Sequence, residues 1–316
     1  MKIVVLDGRG VNPGDISWEP LAALGDVEIY DETGKNAADE QATIDRIGDS
    51  EIVVTCKNLL RRKTFEQCKH IKMVAVLSTG YDVVDVAAAT EHGVKVCNVP
   101  TYATDAVAQF VFALILELCH RVDLHSRSVF DGDWSTCGDF CYWLTPQVEL
   151  AGKTLGIVGY GNIGKKVADI GRLLGMNVLY NSPHAAGSVS LDTLFAQSDV
   201  ISLNCRLTDD NRGLINAASL AHMKDGVWLL TTARGPLVNE PDLVAALESG
   251  KIGAYATDVV TGEPISPDNP LLTAKNCFIT PHIAWSTKEC RERLVEVTAD
   301  NVKAFLAGNP INVVNG

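Results

Sequence analysis

The sequence lacks a hydrophobic run long enough to cross a membrane. Its longest uninterrupted apolar stretch, Phe110–Leu116, ends at Glu117, whereas a membrane-spanning helix needs about 20 apolar residues. The N-terminal run Ile3–Leu6 ends at Asp7 and is too short for the core of a signal peptide. We therefore expect a soluble, cytoplasmic protein that has no membrane partner.

The sequence also lacks the paired cysteines of disulfide frameworks and zinc sites. It has nine cysteines, an odd number, and no Cys-x-x-Cys pair. Several of them lie within apolar runs, as Cys97 and Cys277 do. Reduced thiols in a cytosolic protein explain this pattern best, while disulfides or a metal site are the alternatives. We predict no metal site.

Positive charge is scarce. The chain has 27 Lys and Arg against 39 Asp and Glu, a formal net charge of −12, and a pI of about 5.0. So acidic a chain is a poor general binder of phosphate backbones, and we expect no nucleic-acid partner. With 47% hydrophobic and 21% charged residues, the composition is typical of a globular protein, and 316 residues favour two domains.

Short β-branched runs alternate with helix-length segments along the chain. The first five runs are Ile3–Leu6, Val27–Ile29, Ile52–Val54, Met73–Leu77 and Val94–Cys97. The next six are Leu155–Val158, Asn177–Tyr180, Val200–Leu203, Val227–Thr231, Gly253–Asp258 and Cys277–Ile279. Continuous apolar strands of this kind are typical of parallel sheets that helices cover on both faces. The sequence therefore predicts an α/β protein with two doubly wound parallel sheets, of about five and six strands.

The segment between these two units is unusual. Ala106–Leu118 is apolar on nearly every side, which predicts a helix buried either in its own domain or at a subunit interface. Residues 122–150, rich in aromatic side chains, are expected to be irregular. Near the C-terminus, Ser286 and Glu289 form a capping box that predicts a helix ending near Ala307.

A glycine-rich motif follows the sixth predicted strand. Its residues are Gly159, Tyr160, Gly161, Asn162, Ile163 and Gly164. A G-x-G-x-x-G pattern between a strand and a helix is typical of a dinucleotide site, because the helix N-terminus offers N–H groups to phosphates. A glycine-rich turn without a ligand is the alternative interpretation.

The next predicted strand ends at Asn181, where NAD-selective proteins usually have an acidic residue that holds the ribose hydroxyls. Asn181 can still bind a ribose hydroxyl, but it does not repel a 2′-phosphate. No Arg follows directly, and only His184 offers positive charge. We therefore favour NAD(H) as the cofactor, with NADP(H) as the alternative.

Polar residues follow three further strands: Arg234, Glu263 and His282. Each alone has an ordinary explanation, as a surface ion pair, a solvated carboxylate or a loop hydrogen bond. Together, behind a dinucleotide motif, they suit the reduction of a 2-oxo acid. His282 can supply the proton, Glu263 can stabilise the imidazolium, and Arg234 can bind the substrate carboxylate. Asp258 either binds the nicotinamide amide or is structural.

The motifs LGIVGYGNIG (155–164), TTARGPLV (231–238), DVVTGEP (258–264) and TPHIAW (280–285) resemble the D-isomer-specific 2-hydroxyacid dehydrogenase family. The resemblance implies that Arg234, Glu263 and His282 are the catalytic trio. It also implies two Rossmann-like lobes with an active-site cleft between them, and a homodimer. One lobe, flavodoxin-like and substrate-binding, would be residues 1–100 plus 287–316. The dinucleotide-binding domain would be residues 101–286, including the dimerisation helix and arm.

Within the family, motifs such as NVPTYATDAVAQ (98–109), DFCYW (139–143) and HIAW (282–285) resemble the glycerate dehydrogenase/hydroxypyruvate reductase branch. By resemblance, the substrate carboxylate would bind around Ser78, Thr79 and Gly80. Further cofactor contacts would come from Thr104, Cys205, Arg206, Thr232, Ala233, Asp258, Ala284 and Trp285. Asn181, Asn204-Cys205-Arg206 and Thr231 depart from the usual family pattern, and Arg206 would favour NADP if it faced a phosphate.

The predicted activity is the NAD(P)-dependent interconversion of a small 2-oxo acid and its D-2-hydroxy acid. Hydroxypyruvate and D-glycerate, or glyoxylate and glycolate, are the expected substrate pairs. A sibling dehydrogenase for another 2-hydroxy acid is one alternative. A regulatory protein that senses the cofactor on the same scaffold is another.

Overall fold

The chain forms two units, each built around its own parallel β-sheet. In this computed structural model, residues 1–33 and 38–316 are described. The first unit comprises Met1–Ala103 together with Trp285–Gly316, and the second comprises Thr104–Ala284. The first unit therefore uses both ends of the chain. Across the described residues, no helix is both long and apolar enough to span a membrane.

The first unit contains a five-stranded sheet. Its strands are β1 (Lys2–Val5), β2 (Asp26–Ile29), β3 (Ile52–Thr55), β4 (Met73–Val76) and β5 (Lys95–Cys97). They are all parallel and lie in the order β2-β1-β3-β4-β5. β3 and β4 are buried along their whole length, which explains their unbroken apolar sequences.

Within the described residues of this unit there are five α-helices. They are α1 (Glu19–Ala22), α2 (Glu40–Ile47), α3 (Arg62–Gln67), α4 (Val86–Glu91) and α12 (Lys288–Leu306). Asp39 and Asp85 cap α2 and α4 by accepting hydrogen bonds from backbone N–H groups of the first turn. Such caps satisfy donors that have no partner inside the helix.

The C-terminal helix α12 begins one residue later than predicted. Thr287 is the N-cap, and its Oγ1 accepts a hydrogen bond from the Cys290 N–H at 3.3 Å. The expected cap, Ser286, lies outside the helix, where its carbonyl oxygen accepts a hydrogen bond from Arg291 Nε at 2.9 Å. The helix ends at Leu306, close to the predicted end.

The second unit contains a six-stranded parallel sheet. Its strands are β6 (Thr154–Val158), β7 (Asn177–Asn181), β8 (Val200–Leu203), β9 (Val227–Thr231), β10 (Ile252–Thr257) and β11 (Cys277–Ile279). Their order is β11-β10-β9-β8-β6-β7. The prediction of two doubly wound sheets with five and six strands is thus confirmed. From β6, the chain continues to β7 on one side and then to β8 and the later strands on the other side. Ligands of open α/β sheets bind at such a switch point, here between β6 and β8.

Seven α-helices belong to the second unit. They are α5 (Thr104–His120), α6 (Val122–Phe130), α7 (Asp133–Thr136), α8 (Asn162–Leu173), α9 (Leu191–Gln197), α10 (Ala217–Ala221) and α11 (Glu240–Ser249). Short 3₁₀ turns lie at Gly8–Gly10 in the first unit and at Asp209–Asn211, Gly235–Leu237 and Pro270–Thr273 in the second. The apolar helix α5 packs on α8 and buries Val111 and Ile115 within its own unit.

The expectation that residues 122–150 are irregular was wrong for α6 and α7. Asp123 and Arg127 form an ion pair at 2.8 Å, one helical turn apart in α6. An acidic residue in the first turn and a basic residue in the last turn also complement the helix dipole. This pair supplies a helix signal that the aromatic-rich composition of the segment obscured.

Candidate active site

The predicted functional residues of the second unit follow the carboxyl ends of its strands. Gly159 follows β6, Arg234 follows β9, Asp258 follows β10, and His282 follows β11. Because all six strands are parallel, these ends lie along one edge of the sheet. The topology therefore gathers residues that are distant in sequence.

The glycine-rich turn between β6 and α8 meets steric limits at two of its three glycines. Gly159 has a φ of +95°, and a Cβ there would lie 2.5 Å from the Cys205 backbone nitrogen. A Cβ at Gly164 would lie 2.1 Å from the Gly159 carbonyl oxygen. A Cβ at Gly161 would have no heavy atom within 4 Å. Gly159 and Gly164 are thus required by the fold, while Gly161 leaves space before the N-terminus of α8.

The side chains of the same turn pack on β7 and on the core. The rings of Tyr160 and Tyr180 stack with centroids 3.8 Å apart. Ile163 packs against the buried hydrophobic cluster that includes Ile115 of α5 and Leu155 of β6. Asn162 is the first residue of α8, whose first N–H groups have no partner within the helix. Beside the turn, burial raises the pKa of the Cys205 thiol.

Asn181 is held at the end of β7 by two hydrogen bonds. Its carbonyl oxygen accepts the Gly159 N–H at 2.9 Å. Its side-chain Nδ2 donates to the Val189 carbonyl oxygen at 2.7 Å. This second bond orients the amide so that Oδ1 is the group left to accept a hydrogen bond. After β8, the next strand along the chain, the Arg206 carbonyl oxygen accepts a hydrogen bond from Asn211 Nδ2 at 2.8 Å.

His282 and Glu263 are in direct contact. Nδ1 of His282 lies 2.6 Å from Oε2 of Glu263, and both side chains are about one-third exposed. The other carboxylate oxygen, Oε1, accepts the Val260 N–H at 3.3 Å. Because an ionised carboxylate can only accept, we assign the proton to Nδ1. Nε2 is then the nitrogen that can exchange a proton with a ligand.

The backbone at His282 adopts an unusual conformation. Its φ is +56°, a left-handed value that costs a non-glycine residue roughly 1–2 kcal/mol. Asp258, 1% exposed, holds the loop in this shape. Its Oδ1 accepts from Thr280 Oγ1 at 2.6 Å and from the Ile283 N–H at 2.8 Å, and its Oδ2 accepts from the Ala284 N–H at 2.7 Å. Oδ2 keeps one further acceptor position.

Arg234 lies beside the turn that carries Glu263. Its Nη1 donates to the Ala233 carbonyl oxygen at 2.8 Å. A Cβ on the next residue, Gly235, would lie 2.0 Å from the Val260 carbonyl carbon. The absence of a side chain at Gly235 therefore lets the two turns touch. Thr232 and Ala233 form the start of the Arg234 turn, directly after β9.

The predicted substrate-binding residues lie in the first unit, in the loop after β4. The Ser78 carbonyl oxygen accepts the Val99 N–H at 3.0 Å, and the Thr79 carbonyl oxygen accepts from Asn98 Nδ2 at 2.7 Å. Ser78 Oγ donates to the Gly80 carbonyl oxygen. The fold thus uses the carbonyl groups of this loop. Of the other predicted residues, Trp285 packs in the core of the first unit, while Thr104 begins α5 and Ala284 is buried in the second.

Sequence reasoning missed several residues that organise this site. Gly235 lets two turns approach each other, and Thr280 donates to Asp258. Glu240 accepts the Thr261 N–H near Glu263, and Asn269 donates to Glu240. The sequence signal for Glu240 is ambiguous, because a Glu in the first turn of a helix is already explained by the helix dipole.

Comparison with known proteins identifies the family. Residues 112–284 match the family described as D-isomer specific 2-hydroxyacid dehydrogenase, NAD binding domain. A hydroxypyruvate reductase of Blautia hydrogenotrophica is 50% identical over the full length of both chains. A glycerate dehydrogenase of Methylorubrum extorquens is 42% identical over 86% of this chain and 87% of its own.

A solved structure is also similar to this chain. D-lactate dehydrogenase from Aquifex aeolicus, complexed with NAD and lactic acid, superposes with a TM-score of 0.84 at 29% identity, covering 100% of this chain and 99% of that chain. The resemblance carried by the four motifs is therefore confirmed. The chain belongs to the D-isomer specific 2-hydroxyacid dehydrogenase family.

Proposed function

We propose that the protein reduces hydroxypyruvate to D-glycerate with a nicotinamide dinucleotide, and catalyses the reverse oxidation. The observation that carries this proposal is the 2.6 Å contact between His282 Nδ1 and Glu263 Oε2. With the proton assigned to Nδ1, Nε2 is the imidazole nitrogen that we propose transfers a proton to the substrate oxygen. The substrate follows from the names of the two relatives, one a hydroxypyruvate reductase and one a glycerate dehydrogenase.

His282, Glu263 and Arg234 each have a separate role in the proposed reaction. When bound, a reduced nicotinamide would supply the hydride for reduction of the 2-oxo acid. His282 donates the proton from Nε2 to the carbonyl oxygen as negative charge develops there. Glu263 holds the imidazole by Nδ1 and stabilises it while it is protonated. Arg234 presents its guanidinium to the carboxylate and carbonyl oxygens, for which its planar geometry is suited.

The second unit, within residues 101–286, is assigned as the dinucleotide-binding domain. The geometry around Gly159, Gly161 and Gly164 fits a pyrophosphate, because Gly161 leaves the approach to the helix N-terminus clear. Asn181 Oδ1 is an acceptor for a ribose hydroxyl, which favours NAD(H), with NADP(H) as the alternative. The proposed cofactor contacts also include Tyr160, Asn162, Ile163, Thr104, Cys205, Arg206, Thr232, Ala233, Asp258, Ala284 and Trp285.

Residues 1–100 plus 287–316, which lie within the first unit, are assigned as the substrate-binding lobe. Backbone N–H groups of Ser78, Thr79 and Gly80 are proposed to bind the substrate carboxylate. The support is that the loop follows the carboxyl end of a parallel strand, where ligands of such sheets bind. Its carbonyl oxygens are already used by the fold, which leaves N–H groups as its ligand-binding chemistry.

A panel of 2-oxo acids tests this function. Each acid is mixed with the protein and NADH or NADPH, and oxidation of the cofactor is followed by its ultraviolet absorbance. We expect the highest kcat/KM with hydroxypyruvate. His282→Gln should lower kcat by about 10²–10⁴ and leave the affinity for NADH unchanged. Absence of turnover with every acid, despite cofactor binding, would overturn the proposal.

We also propose that the protein is a homodimer joined through the segment 122–144. Val122, Phe130, Phe140 and Trp143, all in this one segment, are 66%, 88%, 84% and 67% exposed, and large exposed apolar surfaces mark sites of protein–protein interaction. Light scattering after gel filtration should show a dimer, and Phe130→Glu with Phe140→Glu should give a monomer. Leu272→Glu, at a residue 50% exposed outside this segment, is the control that should stay dimeric. A monomeric wild-type protein would contradict the proposal.

Cytoplasmic localisation is proposed from the cysteines. All nine are free thiols, which suits a reducing compartment.

A further inference from the structure

Glu240, a buried carboxylate outside the proposed catalytic trio, contacts the turn that carries Glu263. It is the first residue of α11 and is 8% exposed. Its Oε1 accepts the Thr261 N–H at 2.7 Å, and its Oε2 accepts from Asn269 Nδ2 at 2.8 Å. Asn269 is also 8% exposed. Both oxygens of the carboxylate are therefore used, as a buried charge requires.

The direction of the Glu240–Asn269 hydrogen bond is fixed by a third contact. Oδ1 of Asn269 accepts the Leu271 N–H at 2.9 Å. The amide nitrogen of Asn269 must then face Glu240, and Glu240 must accept. The pair is thus a donor and an acceptor that cannot exchange places without a change of residue type.

The turn between Val260 and Glu263 is held on two sides. On one side, Glu240 binds the Thr261 N–H. On the other, the turn lies against Gly235, where a Cβ would be 2.4 Å from the Thr261 nitrogen. Within the turn, the Val260 N–H donates to Glu263 Oε1 at 3.3 Å. The backbone that Glu240 anchors therefore orients the carboxylate that reaches His282.

The negative charge of Glu240 also affects the nearby Cys277 thiol. The pKa of the Cys277 thiol is raised to about 12, first by burial and then by the negative charge of Glu240. A charged acceptor makes a stronger hydrogen bond to a backbone N–H than a neutral one. A glutamine of the same size would keep only one of the two contacts, since one of its two terminal groups is a donor.

We propose that Glu240, supported by Asn269, is a positioning residue that keeps Glu263 in contact with His282. The catalytic consequence rests on the proposed function, whereas the effect on the Glu263–His282 contact does not. Loss of the anchor should let the turn move, and a displacement of about 1 Å in an active site can cost about 10²-fold in rate.

Exchange of the donor and the acceptor provides the sharpest test. Glu240→Gln leaves two amide nitrogens facing each other, and Asn269→Asp leaves two carboxylates facing each other. In the double variant, the Gln can accept from Thr261 and donate to the Asp, which can still accept from Leu271. We expect each single variant to lose about 10- to 100-fold in kcat and the double variant to recover to within about 3-fold of wild type, since all four groups are again paired. Glu248→Gln, on the same helix in an exposed ion pair with Lys275, is the control and should change nothing.

The pH dependence of kcat separates positioning from general destabilisation. Reduction needs protonated His282, so kcat falls as the pH rises. If Glu263 no longer stabilises that form in Glu240→Gln, the fall should begin at a lower pH, and the double variant should restore it. A purely structural role would lower the folded fraction and leave the pH at which kcat halves unchanged. That outcome, with melting curves that account for the lost activity, would overturn the proposal.

Nitrogen NMR of the histidines makes the test independent of turnover and of the double variant. The His282 signals are assigned by their absence in His282→Gln. In the ligand-free protein we expect a hydrogen-bonded Nδ1–H resonance in wild type and its loss in Glu240→Gln. If no 2-oxo acid is reduced but this loss is seen, the proposed function fails and the positioning role stands. A resonance unchanged in Glu240→Gln refutes the positioning role whatever the substrate.

Discussion

Asp258 offers a direct test of how the His282 loop is held. The carboxylate is 1% exposed and accepts three hydrogen bonds, from Thr280 Oγ1, the Ile283 N–H and the Ala284 N–H. Asp258→Asn keeps the size of the side chain but turns one oxygen into an NH₂ group. The substitution therefore tests the hydrogen bonds without creating a cavity.

The expected loss of stability can be worked out from these contacts. The least costly orientation of the new amide keeps its oxygen toward Thr280 and Ile283 and turns its nitrogen toward the Ala284 N–H. One hydrogen bond to a charged group, worth about 1.5–3 kcal/mol, is then lost and a buried donor is left unpaired. The two contributions overlap, so we expect Asp258→Asn to lower the free energy of unfolding by about 2–4 kcal/mol. For a domain of this size that lowers Tm by roughly 5–15 °C.

The assay compares thermal unfolding of the ligand-free protein with steady-state kinetics. Asp258→Asn should lower Tm as calculated and lower kcat by about 10²-fold, because the His282 loop is no longer fixed. Thr280→Val, which removes only the hydroxyl donor to this carboxylate, should lower the free energy of unfolding by about 1.5–3 kcal/mol. An unchanged Tm with a rise only in the KM for NADH would refute this role, because Asp258 would then act on the nicotinamide and not on its own loop.

Three further outcomes are expected. Asn181→Asp should raise the ratio of kcat/KM for NADH over NADPH by about 10-fold or more, since a carboxylate repels a 2′-phosphate; an unchanged ratio would show that this residue does not face the ribose. Gly164→Ala should lower Tm because its Cβ would lie 2.1 Å from a carbonyl oxygen, whereas Gly161→Ala, whose Cβ meets nothing, should keep Tm and weaken NADH binding measured by tryptophan fluorescence. The hydrogen bond from Arg291 lowers the pKa of the Asp15 carboxyl below its usual 3.8, so its contribution to stability is present above that pH and is lost on acidification through the lowered pKa. Asp15→Asn should therefore lower Tm at neutral pH, with a difference from wild type that disappears in acid.

Much of the fold could be predicted from the sequence because its signals are local. A buried parallel strand must be apolar along its whole length, and β3 and β4 are. The turn at Gly159 needs a positive φ that glycine provides. Glu263 and His282 could be paired from sequence because each follows a strand of one parallel sheet.

The residues that hold the site together could not be found in this way. The hydrogen bond from Thr261 to Glu240 and those from the His282 loop to Asp258 join residues 21 to 26 positions apart. Neither periodicity nor spacing encodes such a contact. A Glu in the first turn of a helix is common. The sequence around Glu240 therefore does not indicate that its side chain also binds the turn near Glu263. Helix α6 was missed because the Asp123–Arg127 ion pair lies within a segment whose aromatic residues dominated the interpretation.

These contacts give some of the acidic residues a structural role. Several carboxylates of the chain point inward and accept hydrogen bonds from backbone N–H groups after strands, as Asp258 and Glu240 do in the second unit. Asp7 does the same in the first unit, where it accepts the N–H groups of Cys56 and Lys57. Part of the negative charge thus fixes the loops at strand ends. The N–H dipoles bound to these carboxylates partly offset their negative charge, so they repel an anionic cofactor and an anionic substrate less than the net charge of −12 suggests. The remaining N–H groups and Arg234 then supply the attraction.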